Sequence, residues 1–176
     1  MPGATFQAGA AFIALGSNLG ASEVLLGEVV SRMRTFSNSP LLKSSLWQTA
    51  PVDCPPDSPP FLNGVVGFAP KIGETPESLL ANLQALEKEF GRGPKKILNE
   101  PRPLDLDLIA FGNEVRSTPA LILPHPRAHL RRFVLQPLAE IAQDLVLPGQ
   151  TKTVAGLLAG LTSDEAVRKF GSLGEK

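Results

Sequence analysis

PRPLDLDLIAFG, residues 101–112, sets Asp105 and Asp107 one residue apart inside an otherwise apolar run. Leu104, Leu106 and Leu108 alternate with them, and alternation of this period marks a half-buried strand. Side chains on a strand repeat every two residues, so both carboxylates project from one face and the leucines cover the other. At ~3.3 Å per residue their Cα atoms sit roughly 6.5–7 Å apart. Such a pair either shows two acids to water or seats something cationic between them. The rest of the chain has to choose.

Upstream of this strand the order of elements is legible. AFIALGSN (11–18) is short, apolar and closed by turn residues, so it reads as a buried strand. Ser22 is a plausible N-cap for a helix that puts Leu25, Leu26, Val29, Met33 and Phe36 on one face. LLKSSLWQT (41–49) and FLNGVVGFA (61–69) read as two further strands, separated by PVDCPPDSPP with five prolines in ten positions. Proline removes donors and fixes φ, so that stretch is a stiff loop. Thr75 followed by Pro76 starts a second helix, with Leu79, Leu80, Leu83, Leu86 and Phe90 on its apolar face and Gly91 at its end. Glu87 falls inside that apolar arc, where a carboxylate is either edge-exposed or held by a partner. After the Asp105/Asp107 strand, residues 121–145 read as a turn and a short helix. The succession of strand, helix, strand, strand, helix, strand suits a ferredoxin-like α+β sandwich, a mainly antiparallel sheet with helices packed on one face. In the tail, 150–176, Thr162 and Glu165 have the spacing of a capping box and predict a terminal helix.

Composition bounds the rest. A length of 176 residues suits one domain with a sizeable core. Seventeen basic and seventeen acidic residues balance, so no global field draws the chain to nucleic acid or a membrane. A single cysteine excludes an internal disulfide and fits the cytoplasm, and no apolar run approaches a membrane span. Positive charge is clustered nonetheless. Between Lys88 and Arg102 five basic residues stand against two acids, and HPRAHLRR (125–132) holds three arginines and both histidines of the chain. These basic segments flank the acid pair, so they read either as solvated loops or as one polyanion site shared with metal-bound carboxylates. His125 and His129 lack further ligands for zinc, GSNLG (16–20) lacks the spacing and lysine of a P-loop, and Cys54 has no basic neighbour to activate it.

Taken in order, FIALGSNLG, SSLWQTAPV, PPFLNGVV, PRPLDLDLIAFG and LPHPRAHLRRFVLQPLAEIA resemble the 6-hydroxymethyl-7,8-dihydropterin pyrophosphokinase family over about residues 11–149. The resemblance implies a ferredoxin-like fold with three mobile loops over the site. It implies transfer of the β,γ-diphosphate of ATP to the pterin's hydroxymethyl oxygen, with release of AMP. It places two Mg²⁺ ions on Asp105 and Asp107, and Arg92, Arg102, His125 and Arg131 around the phosphates. Glu87 matches a position at the nucleotide, near the ribose. Asn63 matches the residue that pairs with the pterin edge, Phe61 and Phe133 the aromatics that flank its ring, and Thr49 and Val52 the loop that hydrogen-bonds to it. Many relatives have arginine and tryptophan where this chain has Leu98 and Asn99, and another arginine where it has Pro94; Lys95 and Lys96 offer point charges in partial compensation. A monomer is expected by the same analogy. Rival readings fit less well. An RNA-binding ferredoxin-like module would need a Lys/Arg-Gly-aromatic strand signature that is missing, and a pterin or nucleotide sensor would have no use for the acids.

Overall fold

The apolar run after residue 10 forms strand β1 (Ala11–Ser17), buried along nearly its whole length, as a strand covered on both faces should be. The computed structural model describes residues 9–18, 21–51, 55–91 and 103–174. Helix α1 (Ser22–Met33) buries Leu26, Val29, Val30 and Met33. Its start differs from expectation by one residue: Ala21 takes the cap position without a side-chain bond, and Ser22 is already helical. The Ser22 hydroxyl instead accepts a hydrogen bond of 2.8 Å from the Ser17 hydroxyl, tying the helix to the end of β1.

The single strand expected over 41–49 is two, β2 (Leu42–Lys43) and β3 (Ser45–Thr49), parted at Ser44. Ser44 is buried, and its hydroxyl accepts from Val65 N–H at 2.9 Å while its own N–H donates to the Val65 carbonyl at 3.0 Å. A side-chain oxygen thus replaces a carbonyl in the ladder, so the chain breaks step without losing the bond. Strand β4 (Phe61–Phe68) follows, then helix α2 (Pro76–Glu89). Thr75 and Ser78 cap α2 reciprocally, Thr75 Oγ1 accepting from Ser78 N at 3.1 Å and Ser78 Oγ accepting from Thr75 N at 2.9 Å. Gly91 closes the helix with φ of 93°, the left-handed conformation that glycine adopts without strain. The acid-bearing strand is β5 (Asp105–Phe111).

The sheet runs β5-β1-β4-β3, with antiparallel neighbours throughout and β2 paired to β4, which is the ferredoxin-like order. Register separates its two faces. Ile13, Leu15, Leu62, Val66, Leu106 and Leu108 share one core with α1 and α2. Their strand neighbours Phe12, Val65 and Ile109 belong to a second core on the opposite face, with α3 (Arg132–Ala142) and α4 (Val154–Ala159). Helices on a single face are therefore corrected to helices on both. The residues after β5 make a small hairpin, β6 (Arg116–Ser117) with β7 (Ile122–Leu123), and the amphipathic α3 folds back across the sheet.

The tail also departs from expectation. It does hold a helix, but this is α4, capped by Thr153 Oγ1 accepting from Gly156 N at 3.1 Å. No helix starts at Thr162; the chain continues into β8 (Val167–Ser172), which pairs antiparallel with β3 and becomes the sheet's outer strand.

Candidate active site

Across the sheet, Asp105 pairs with Gly16 and Gly16 with Asn63, and one step along Asp107 pairs with Ala14 and Ala14 with Val65. Residues in register share a face, so the acids and Asn63 stand on the α3 side of the sheet, where Ala14 and Val65 enter the second core. Toward the Asp105 end of β5 the sheet surface emerges from under α3. Both acids are half-buried there, and Asn63 lies two strands away, about 10 Å at ordinary strand spacing. The pair expected from alternation is real: its leucine partners are buried on the other face.

Asn63 is buried, and its amide N–H donates to Thr49 Oγ1 at 2.9 Å. That bond orients the amide and leaves its oxygen and second N–H available to a planar partner. Gly16 makes room beside it. A Cβ at residue 16 would lie 3.2 Å from Asn63 Oδ1 and 4.0 Å from the Phe61 ring. Phe61, Asn63 and Thr49 therefore form one cluster with a bare backbone next to them, the kind of space a flat ring can enter.

The basic segment closes on the acids from the other side. His125 N–H donates to the Ile109 carbonyl at 2.9 Å, which fixes the loop to β5. Its Nδ1 accepts the Arg127 N–H at 3.2 Å, so the neutral ring carries its proton on Nε2. Burial pushes the His125 pKa down to about 4, the positive Arg131 and Arg127 push the same way, and Asp105 opposes them. At neutral pH this imidazole is an uncharged N–H donor. Arg131 is depressed chiefly by burial and by Arg127, against the pull of Asp107, Asp105 and Glu165. Its guanidinium lies 5.3 Å from the centroid of the half-buried Phe133 ring, within cation–π range.

Of the expected residues, the structure brings together Asp105, Asp107, His125, Arg131 and Phe133 on one side, and Thr49, Phe61 and Asn63 on the other. Arg92, Lys95, Arg102 and Val52 lie outside the described residues, as do Cys54 and the substituted positions Pro94, Leu98 and Asn99. Glu87 stands apart. It is 9% exposed, and its Oε1 accepts the Leu106 N–H at 2.8 Å. That backbone donor is a partner of the kind a carboxylate in the helix's apolar arc requires. Sequence reasoning missed Gly16, which looked like a strand-end turn, and Arg127 and Glu165, which act on His125 and Arg131. A cleft of about 420 Å³, lined by Ser22, Glu23, Gln48, Leu62 and Phe170 among others, opens at α1 and includes none of these site residues.

A pair of carboxylates on one strand face fits Mg²⁺, which favours one or two protein carboxylates completed by substrate phosphates and water. Among the described residues no cluster of three or more histidine, cysteine or acidic side chains offers the fuller protein cage that zinc prefers.

Comparison with known proteins identifies the family. The model of the 7,8-dihydro-6-hydroxymethylpterin-pyrophosphokinase family matches residues 12–143. The 2-amino-4-hydroxy-6-hydroxymethyldihydropteridine pyrophosphokinase of Haemophilus influenzae is 40% identical over 139 residues, 78% of this chain and 84% of that protein. The Bacillus subtilis protein of the same name is 40% identical over 136 residues, 77% and 79% of the two chains. The folic acid synthesis protein fol1 of Pneumocystis carinii is 39% identical over 139 residues, but this chain spans only 18% of its length. The crystal structure of Plasmodium falciparum HPPK-DHPS with pteroate superposes with a TM-score of 0.66 at 12% identity, over 87% of this chain and 44% of that one, a likeness of fold. The chain belongs to the 7,8-dihydro-6-hydroxymethylpterin-pyrophosphokinase family.

Proposed function

We propose that the open end of the α3-side sheet face is where this chain performs its family's reaction, with the acids under the triphosphate and the Asn63 cluster around the pterin. The enzyme is a pyrophosphokinase of folate biosynthesis that moves the diphosphate of ATP onto 6-hydroxymethyl-7,8-dihydropterin and leaves AMP. One observation carries the placement. Asp105 and Asn63 lie in one row across the sheet with only Gly16 between them, so a pterin at Asn63 points its substituent toward the carboxylates.

Asp105 and Asp107 would hold the Mg²⁺, two ions on the family's pattern. When bound, the metal neutralises the triphosphate and lowers the pKa of the attacking hydroxyl. The chain's own groups do the positioning. Arg131 supplies fixed positive charge and a donor fork to the phosphates, and neutral His125 adds its Nε2–H without a second full charge. With a pKa near 4, His125 is too weak a base to take the hydroxyl proton, so none is assigned to it. Asp107 is the candidate for that role. By analogy with relatives, Arg92, Arg102 and Lys95 would bind the same phosphates. Phe133 and Phe61 flank the ring, where stacking contributes roughly 0.5–1.5 kcal/mol beyond area burial. Thr49 sets the Asn63 amide, and Val52, by analogy with relatives, would hydrogen-bond to the pterin. Glu87 serves this site through β5, by holding the Leu106 backbone between the two acids.

The chain carries every described site residue itself, so a single-domain monomer suffices. Among the described residues no helix is long and apolar enough to cross a membrane, and ATP as co-substrate suits a cytoplasmic enzyme. The test is direct. The purified chain with ATP, Mg²⁺ and the hydroxymethyl-dihydropterin should form AMP only when the pterin is present. ADP as the nucleotide product would overturn the reading.

A further inference from the structure

Strand β3 sets a large side chain directly beside the Asn63 cluster. Trp47 pairs in register with Asn63, so the row that begins at Asp105 runs on through Gly16 and Asn63 to Trp47. Leu46 enters the core on the α1/α2 side, which leaves Ser45, Trp47 and Thr49 on the α3 side with Asn63. Opposite residues on neighbouring strands have Cβ atoms about 5 Å apart. At that distance an indole has rotamers that lie over the Asn63 amide, where the pterin is placed, and rotamers that lie away from it. The Trp47 side chain is only half-buried, which leaves the choice to its polar end.

That end is held from α3. Glu140 Oε1 accepts the Trp47 indole N–H at 2.5 Å and the Ser45 backbone N–H at 3.2 Å, and Glu140 Oε2 accepts the Ser45 hydroxyl at 2.8 Å. Three donors from one strand converge on one carboxylate, and with both oxygens engaged its orientation is fixed. Its position sets the direction of pull. Ser45 stands four residues back from Thr49, about 13 Å at strand rise, and Thr49 is the β3 residue bonded to Asn63. A carboxylate seated on Ser45 therefore draws the indole along β3, away from Thr49 and Phe61. We infer that Glu140 is a positioning residue for the pterin, which by bonding the Trp47 indole keeps that ring off Asn63 and leaves the face of the amide to the substrate.

Two features make this separable from a role in folding. Glu140 is exposed, so its removal leaves no cavity, and hydrogen bonds at the surface contribute little to global stability. Trp47 is also the only tryptophan of the chain, so its emission reports the indole that Glu140 holds.

The inference rests on Asn63 being the pterin contact, and the experiment separates the two ideas. Steady-state kinetics with both substrates, tryptophan emission and thermal unfolding are measured for Glu140→Ala, Glu140→Gln, Asn63→Ala and the Glu140→Ala/Trp47→Phe double variant. Glu140→Ala should raise the pterin KM by about five-fold, the size of one exposed hydrogen bond to a charge, with the ATP KM and kcat changed far less. Its emission maximum should shift as the indole leaves the carboxylate. Glu140→Gln keeps an oxygen for the indole N–H and should recover most of the pterin KM. The double variant replaces the indole by a smaller ring and should also return the pterin KM toward its starting value, which a general loosening of α3 would not do. An unchanged pterin KM in Glu140→Ala despite a shifted emission, or an equal rise in both KM values, would overturn the inference. An Asn63→Ala enzyme with a normal pterin KM would instead remove the contact on which it stands.

Discussion

The two faces of β5 are made by one short strand and do opposite work. On the α1/α2 side Leu106 and Leu108, with Leu104 just ahead of the strand, are at most 5% exposed and belong to a closed core. On the α3 side Asp105 and Asp107 are half-buried beside a donor-rich loop. The leucines fix where the strand lies, and the acids take their spacing from it without contributing to that placement. Burial on one side is what makes the carboxylate geometry on the other reproducible, because a slip of one residue would exchange the two sets.

The sharpest way to test this division is to cut each face in turn. Asp107→Ala should lower kcat by about a thousand-fold or more, since it removes charge where the metal and triphosphate meet, yet shift stability by under about 1 kcal/mol. Leu106→Ala should do the reverse in kind, costing about 2–4 kcal/mol of folding stability through its cavity while the folded fraction still turns over. Turnover assays and urea unfolding read the two effects separately. If Asp107→Ala unfolded the protein, or left it active, the faces would not be independent.

A smaller effect is expected in the gap between acids and Asn63. Gly16→Ala would put a methyl 3.2 Å from Asn63 Oδ1, tight enough that the amide must give way. The pterin KM should rise by about ten-fold, as for one misplaced polar contact, with the ATP KM little changed. A matched rise in both would mean that the strand itself had moved.

The smallest effect concerns pH. His125 titrates near 4 in the folded chain and near 6.5 in a free histidine, so between those values the unfolded chain binds more protons. Its contribution is therefore complete above about pH 6.5 and is lost as pH falls toward 4, with a slope of at most about 1.4 kcal/mol per unit, lessened by partial solvent access. His125→Asn should flatten that part of the curve in urea titrations at pH 4–7. An unchanged slope would place the imidazole in a more watery setting.

The frame of elements was legible because each piece carried a local signal: the apolar run of β1, the Thr75–Pro76 start of α2, the alternation of β5. The strands after α1 were legible as apolar segments but not in detail, since nothing local reveals that the Ser44 hydroxyl would replace a ladder carbonyl. Strand β8 gave little sign of itself. Arg168, Lys169 and Phe170 are all exposed, so there was no buried face for alternation to report. Thr162 and Glu165 have the spacing of a capping box, but no helix starts there and the chain runs on into β8, so a local cap signal alone misreads the tail. The acid pair was readable in the same way as β5. Its neighbours needed the resemblance to relatives, because register across three strands is not a local property.

The Glu87 bond to Leu106 has a consequence for how molecules of this enzyme behave when crowded. Among the described residues strand β5 is the terminal strand on its side, and an outward backbone donor there is an invitation to a neighbouring molecule's strand. With that donor engaged from within, an incoming strand meets an anionic oxygen in place of an open bonding site. A nearly buried side chain thus closes one bonding site on the sheet's edge against association.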